Sequence, residues 1–338
     1  YARGAYDKAL PLFQQALQFS EKFFGPDHPQ TAISLDYLAS TYYHKGAYDK
    51  ALPLYQRALT INEKILGSEH TKTAAILNKL AGLYHKIGDF NQALPLYQRS
   101  LQIIENILGL DHPDTAACLG NLAGLYRSKG EYGQAISLQK RALSIKEKVF
   151  GIDHPDTAIS LSNLAELYGA IGSIDKALPL HQRALHIREK VFGPEHSDTA
   201  NSLNNLAVLY FKMGAYEQAL PLFQRALEIH EKTLGSEHAE IATILNNIAE
   251  IYHSMGMYEQ SLKMHQRALQ VREKSLGPEH PQTALTLSNL ATLYYTIGIY
   301  DRSLSLFQRA LMIREKKLGP DHIETANSLN NLAEIYRH

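Results

Sequence analysis

One histidine returns every 42 residues along this 338-residue chain, as His28, His70, His112, His154, His196, His238, His280 and His322. It stands in loops reading GPDHPQTA, GSEHTKTA, GLDHPDTA, GIDHPDTA, GPEHSDTA, GSEHAEIA, GPEHPQTA and GPDHIETA, with no insertion or deletion between them. A period of that length marks an array of one supersecondary unit, which buries its apolar face only by stacking on its neighbours. The repeat therefore overrides the two or three domains that length alone suggests. No Pro/Ser-rich stretch, charge block or low-complexity segment breaks the register, so a single elongated domain over 1–338 is expected.

The unit at 196–237 shows the helical pattern. Ala200, Leu203, Leu206, Ala207 and Tyr210 fall at spacings of one helical stripe and define helix A. Gly214 follows as a helix-ending glycine. Tyr216, Ala219, Leu220, Phe223, Ala226, Leu227, His230 and Leu234 trace a second stripe, helix B, closed by Gly235. Two helices of about 16–19 residues and two short turns fill the period. The units are bounded near 28–69, 70–111, 112–153, 154–195, 196–237, 238–279 and 280–321, with a leading helix B at 5–24 and a trailing helix A at 322–338.

Small and large residues repeat in fixed register. Ala39 and its equivalents through Ala333 hold one place in helix A. Helix B carries Ala9 to Ala219 at one position, then Ser261 and Ser303, and Ala16 to Ala310 at another, with Ser100 as the exception. Leu35 to Leu329 and Tyr42 to Tyr336 supply the bulk opposite, which lets neighbouring helices interlock. Pro11, Pro53, Pro95, Pro179 and Pro221 lie just past the first turn of helix B, where a modest bend is expected; Ser137, Lys263 and Ser305 replace proline elsewhere.

Asn-Leu-Ala-x-Leu-Tyr, a Gly-x-Tyr turn and Ala-Leu-x-Leu-Tyr/Phe-x-x-Ala-Leu together resemble the tetratricopeptide repeat over essentially the whole chain. The unit departs from the usual 34-residue form: leucine stands where that family often has tryptophan, and Glu63, Glu105, Glu147, Glu189, Glu231, Glu273 and Glu315 stand where it often has the proline ending helix B. The 42-residue form is similar to the repeats of kinesin light chain. The resemblance implies an all-α, right-handed superhelical solenoid of about eight antiparallel helix pairs, with protein or peptide binding along its concave groove. Motor attachment is not implied, because no heptad region accompanies the repeats.

The periodic histidines do not read as a metal site. Single histidines about 10 Å apart cannot meet at one zinc, whose ligands lie about 2 Å from a common centre. The expected role is structural: the acid before each histidine and the Pro-x-Thr after it cap helix A and fix the turn. Cys118 lacks a nucleophile's surroundings and reads as a small packed residue. The glycines are single and no Lys-Ser/Thr follows them, so there is no phosphate loop. Arg57, Arg99, Arg141, Arg183, Arg225, Arg267 and Arg309 form a helix-B ladder that is expected to pair with helix-B glutamates of adjacent units. No catalytic residue, metal site or cofactor is expected.

Asn121, Asn163, Asn205, Asn247, Asn289 and Asn331 form a helix-A ladder that Tyr37 and Lys79 break in the first units. In related tetratricopeptide proteins an asparagine here faces the groove and bonds a peptide backbone, and an amide offers the donors and acceptor for that. The competing reading is an inter-repeat amide ladder that only stabilises the array; both stand at this level. Asn78, Asn204, Asn246 and Asn330, one residue earlier, should share the face, with Tyr43, His85, Arg127, Phe211, His253 and Tyr295 six residues later. Glu166, Glu250 and Glu334 lie three after the ladder. Lys79, Lys86 and Arg127 mark the N-terminal half as the better seat for an acidic ligand, and the glutamates mark the C-terminal half for a basic or neutral one.

Lys plus Arg equals Asp plus Glu, 34 against 34, so no net basic charge points to nucleic acid. No apolar run approaches the ~18–20 residues of a membrane span, and one cysteine favours a reducing, cytoplasmic setting. The chain begins at Tyr1 in mid-repeat and ends at His338 after a lone helix A, so a fragment of a longer protein is expected. Its two ends lack polar caps, which predicts head-to-tail self-association. Three functional readings follow: a non-catalytic peptide-binding scaffold, a regulatory segment of a larger NTPase or caspase-like switch protein, and an architectural rod.

Overall fold

The computed structural model describes residues 2–337, with side chains from Tyr6 onward. Tyr1 and His338, named above for the two ends, lie outside the described residues. These residues form helices joined by short turns, and no strand occurs among them. The chain divides into two compact units, one ending at Ser173 and the other beginning at Ile174.

The first unit holds α1 (Ala2–Phe24), α2 (Pro29–His44), α3 (Tyr48–Leu66), α4 (Thr71–Lys86), α5 (Phe90–Leu108), α6 (Pro113–Ser128), α7 (Tyr132–Phe150) and α8 (Pro155–Ala170). The second holds α9 (Ile174–Phe192), α10 (Ser197–Lys212), α11 (Tyr216–Leu234), α12 (Ala239–Ser254), α13 (Tyr258–Ser275), α14 (Pro281–Thr296), α15 (Tyr300–Leu318) and α16 (Ile323–Tyr336). Even-numbered helices are the A helices of the sequence pattern and odd-numbered ones the B helices. Within each unit every helix packs on the next, most extensively within an A–B pair, giving an all-α solenoid. The leading helix B starts earlier than expected, at Ala2. No helix among the described residues is long and apolar enough to cross a membrane.

Two glycine turns set the fold. At the A–B turn, the Gly46 N–H donates to Tyr43 O at 3.0 Å and the Ala47 N–H to Tyr42 O at 3.0 Å, which is a Schellman closure. Gly46 sits at φ 75°, open to glycine at no steric cost. At the B–A turn, Gly151 adopts φ 98°, ψ 164°, a region nearly closed to side-chain-bearing residues. The Thr157 hydroxyl then donates to Gly151 O at 2.8 Å, tying the start of α8 to the end of α7.

The core forms along the helix seams. Leu35, Leu77, Leu119 and Leu161 in the first unit, and Leu203, Leu245 and Leu287 in the second, are fully buried; cutting one to alanine would cost about 2–5 kcal/mol. Ala39, Ala51, Ala81 and Ala93 are also fully buried, at positions where backbones approach. Where serine replaces such an alanine, its hydroxyl meets the facing helix. Ser100 donates to Ala74 O at 2.8 Å, Ser261 to Ala249 O at 2.9 Å and Ser303 to Ala291 O at 2.8 Å. A buried hydroxyl without such a partner would be costly. The helices run through Pro53, Pro95 and Pro221 without a break.

Candidate functional site

The periodic histidine is itself the cap of helix A. Its backbone is extended, and its Nδ1 accepts the N–H two residues on: Gln30 on His28 at 3.1 Å, Lys72 on His70 at 3.0 Å, Asp156 on His154 at 3.1 Å and Asp198 on His196 at 3.1 Å. That corrects the expectation that the preceding acid does the capping. The acid instead meets a lysine near the end of the next helix B: Asp27–Lys64 at 2.6 Å, Asp111–Lys148, Glu195–Lys232 at 3.1 Å, Glu237–Lys274 and Glu279–Lys316 at 2.9 Å. It stands one residue outside the cap, so the imidazole reaches the free N–H groups of the first turn and the carboxylate remains available to the neighbouring repeat. Among the described residues no three His, Cys, Asp or Glu side chains are grouped to hold a metal ion.

The arginine ladder pairs as expected. Arg57–Glu21 stands at 2.5 Å, Arg99–Glu63 at 2.7 Å and Arg141–Glu105 at 2.6 Å in the first unit. Arg225–Glu189 at 2.8 Å, Arg267–Glu231 and Arg309–Glu273 at 2.6 Å follow in the second. Each pair joins one helix B to the next and spends the charge that could have drawn an anion. Cys118 is buried beside Ser100 at 3.8 Å, and burial raises its thiol pKa.

The A-helix face of the first unit carries a pocket of about 260 Å³ between α2, α4 and α6. Tyr43, Asn78 and Asn121 line it, together with Lys79, Tyr55 and Tyr97. Asn121 Nδ2 donates to Asn78 Oδ1 at 3.2 Å, and Lys79 meets Asp36 at 2.7 Å, on the same diagonal between adjacent A helices. Arg127 pairs with Glu166 at 2.8 Å. Lys79 and Arg127 are therefore neutralised from within, which removes most of the charge expected to favour an acidic ligand in this half. Asn163 and Arg127 border a smaller cavity of about 90 Å³ with Gly120, Gly124 and Gln139. His85 bonds Ser128 at 2.8 Å, and burial lowers its pKa.

The second unit differs. Asn246 is a buried hub: its Nδ2 donates to Thr286 Oγ1 at 2.9 Å and its Oδ1 contacts His265 Nδ1 at 3.0 Å. Glu250 Oε1 stands 3.7 Å from His265 Nε2. Burial pushes the His265 pKa down to about 4 and the Glu250 pKa up. Asn204 Oδ1 is buried without a partner. Asn205, Asn247 and Asn289 are half-buried and Asn331 exposed; like Asn163, they make no side-chain hydrogen bond among the described residues.

The aromatic set is placed at the A–B turns. Tyr43–Tyr48, His85–Phe90, Phe211–Tyr216, His253–Tyr258 and Tyr295–Tyr300 pair at ring separations of 5.7, 5.9, 5.7, 5.7 and 5.6 Å. These rings pack helix A onto the start of helix B as well as bordering the face.

Sequence reasoning missed Tyr55 and Tyr97. They reach the face from helix B: Tyr55 Oη meets Ser40 Oγ at 2.9 Å, and a Cβ added at Gly82 would stand 3.4 Å from Tyr97 Oη. Burial pushes both phenol pKa values up to about 12. The signal available was variation: that register holds Phe13, Tyr55, Tyr97, Gln139, His181, Phe223, His265 and Phe307, while its neighbours barely change.

A family model for the tetratricopeptide repeat matches residues 1–64, 34–103, 72–148, 121–190, 156–232, 198–261, 240–316 and 297–338. No curated protein matches the chain. Among solved structures, BtubC (BKLC) from P. vanneervenii is 26% identical with a TM-score of 0.59, over 68% of this chain and 92% of that one. A Podosopora anserina putative kinesin light chain with nearly identical TPR-like repeats is 26% identical with a TM-score of 0.52, over 61% and 97%. A STAND protein with a tetratricopeptide repeat sensor from Pyrococcus horikoshii shares the fold at 17% identity and a TM-score of 0.67, over 96% of this chain and 46% of that one.

Proposed function

The chain belongs to the tetratricopeptide repeat family, and on that premise we propose that it is a non-catalytic scaffold whose A-helix face holds an extended peptide or partner segment. The observation that supports this most is the set of unspent amides. Asn205, Asn247 and Asn289 repeat on the A-helix face of the second unit, and Asn163 stands at the same register of the first, all without side-chain partners among the described residues. An extended peptide offers a donor and an acceptor at each residue, and a side-chain amide answers both. The tyrosine-bordered pocket beside Asn78 and Asn121 adds a seat for one apolar or aromatic side chain. Asn78, Asn121 and Asn246 have internal bonds and serve the array first.

Peptide display on the purified chain tests this, run in parallel with the variant Asn205→Ala/Asn247→Ala. Enriched peptides that are lost on the double substitution support the reading. Enrichment indifferent to both asparagines moves the partner to another face, and no enrichment favours the architectural rod.

A further inference from the structure

One helix-B register runs Ser20, Asn62, Ile104 and Lys146 through the first unit. Its other polar members reach the following helix A. Ser20 Oγ lies 2.8 Å from Ser34 Oγ on α2, and Lys146 Nζ donates to Asp156 O on α8 at 3.3 Å. Ile104 is apolar and buried. Asn62 is the exception: it is 7% exposed, and its amide makes no side-chain hydrogen bond among the described residues. The cause is in the sequence. The residue fourteen on is a serine that meets Ser20 in the first repeat and Arg314 in the last, but after Asn62 it is Ile76. A buried amide left in this way is costly unless something else bonds it.

Asn62 borders an open crevice of about 220 Å³ between α2 and α4. Ala32 and Ile33 form one wall, Ala75 and Ile76 the other, and Leu66 lies at the end of α3. Ala75 is exposed, and its small side chain leaves the slot unfilled. Tyr37 stands at one edge with its ring stacked on Phe13 at 5.6 Å. Asp36, also at the border, is already paired with Lys79 at 2.7 Å, and Lys72 stands exposed. The slot thus has aliphatic walls, an aromatic edge and one unbonded amide, with no unpaired carboxylate. An apolar cavity of about 150 Å³ holds benzene, so this one has room for two fused rings.

We propose that the α2–α4 crevice binds a small, neutral, bicyclic heteroaromatic molecule, with the ring between the two walls and a ring nitrogen bonded to the Asn62 amide. The amide offers donors and an acceptor, so it serves a ring N–H or a ring lone pair. A flat ring suits the aliphatic walls and the Tyr37 edge. A charged ring would be desolvated there without a free counter-ion of either kind within the slot. The site is distinct from the amides assigned above to peptide binding and does not rest on that reading.

The test titrates asparagine-labelled protein with three probes of similar shape: indole, which offers an N–H; quinoline, which offers a ring lone pair; and 1-methylindole, which offers neither. Indole and quinoline should shift the Asn62 side-chain amide saturably and leave Asn205, Asn247 and Asn289 in place. Both should bind about fivefold more tightly than 1-methylindole, the effect of one hydrogen bond. Asn62→Ile, which copies Ile104 of the next repeat, should erase that difference when affinities are read by calorimetry. Ala75→Leu, at an exposed wall position, fills the slot without touching the amide and should abolish binding of all three. Circular dichroism checks the helicity of both variants. No saturable shift at Asn62 with indole or quinoline overturns the assignment, as do affinities that neither substitution alters. Binding of N-acetyltryptophanamide without binding of indole would place the ring on a partner's side chain, and also overturns it.

Discussion

His154 Nδ1 accepts the backbone N–H of Asp156 at 3.1 Å, and the ring of Phe150 stacks on the same imidazole at 4.8 Å between centroids. One residue thus caps α8 and packs on the last turn of α7. The same stack recurs at Phe24–His28 and Phe192–His196, while leucine holds the stacking position in the other five repeats.

Replacing His154 by alanine should lower stability by about 1 kcal/mol through loss of the cap. His154→Asn should recover most of it, since asparagine caps well. Urea midpoints of the three proteins at pH 7.5 check this; equal midpoints for wild type and His154→Ala would remove the capping role.

Acid should weaken the second unit before carboxylate protonation dominates. Burial holds His181 and His265 at pKa values of about 4, below the ordinary ~6.5 of an unfolded chain. A base with a depressed folded pKa is neutral when folded, so the unfolded state takes up more protons. Its stabilising effect is present above pH 6.5 and is lost as pH falls towards 4, on the order of 2–3 kcal/mol per histidine. Glu250, raised by burial, opposes part of this loss as it protonates. Phe223 and Phe307 occupy the same register, so His181→Phe/His265→Phe should flatten the dependence between pH 6.5 and 4, read by chemical denaturation at stepped pH.

Gly124 lies inside α6 with no atom within 4 Å of an added Cβ. Gly124→Ala should therefore stabilise by about 0.5–1 kcal/mol through helix propensity alone. A thermal melt with an unchanged or lower midpoint would contradict that.

The Arg309–Glu273 pair is about one-third exposed on each side. A double-mutant cycle to alanine should give a coupling of about 0.2–1 kcal/mol that shrinks in high salt. A coupling several-fold larger would show that the ladder, and not the apolar seam, holds adjacent repeats together.

The helices were legible because each repeat states the same apolar stripe and the same glycine stops. α11 has the bounds of its stripe, Tyr216–Leu234, and α10, Ser197–Lys212, extends two or three residues beyond each end of Ala200–Tyr210. The Arg–Glu ladder was legible for the same reason, being a fixed offset between identical helices. The site was less so. Register tells which residues share a face, but not that Asn246 turns inward to Thr286 and His265 while Asn247 beside it stays unspent. Nor does it show Tyr55 and Tyr97 rising from helix B between A helices, because a stripe of large residues reads as core.

The central claim is that the ligand lies along the A-helix face. Asparagine-labelled protein, titrated with a display-selected peptide and followed by side-chain amide NMR, tests it most directly. The account predicts saturable shifts at Asn205, Asn247 and Asn289, with Asn62, buried in α3 of the first unit, unmoved. Saturable binding that leaves those three amides in place would contradict it.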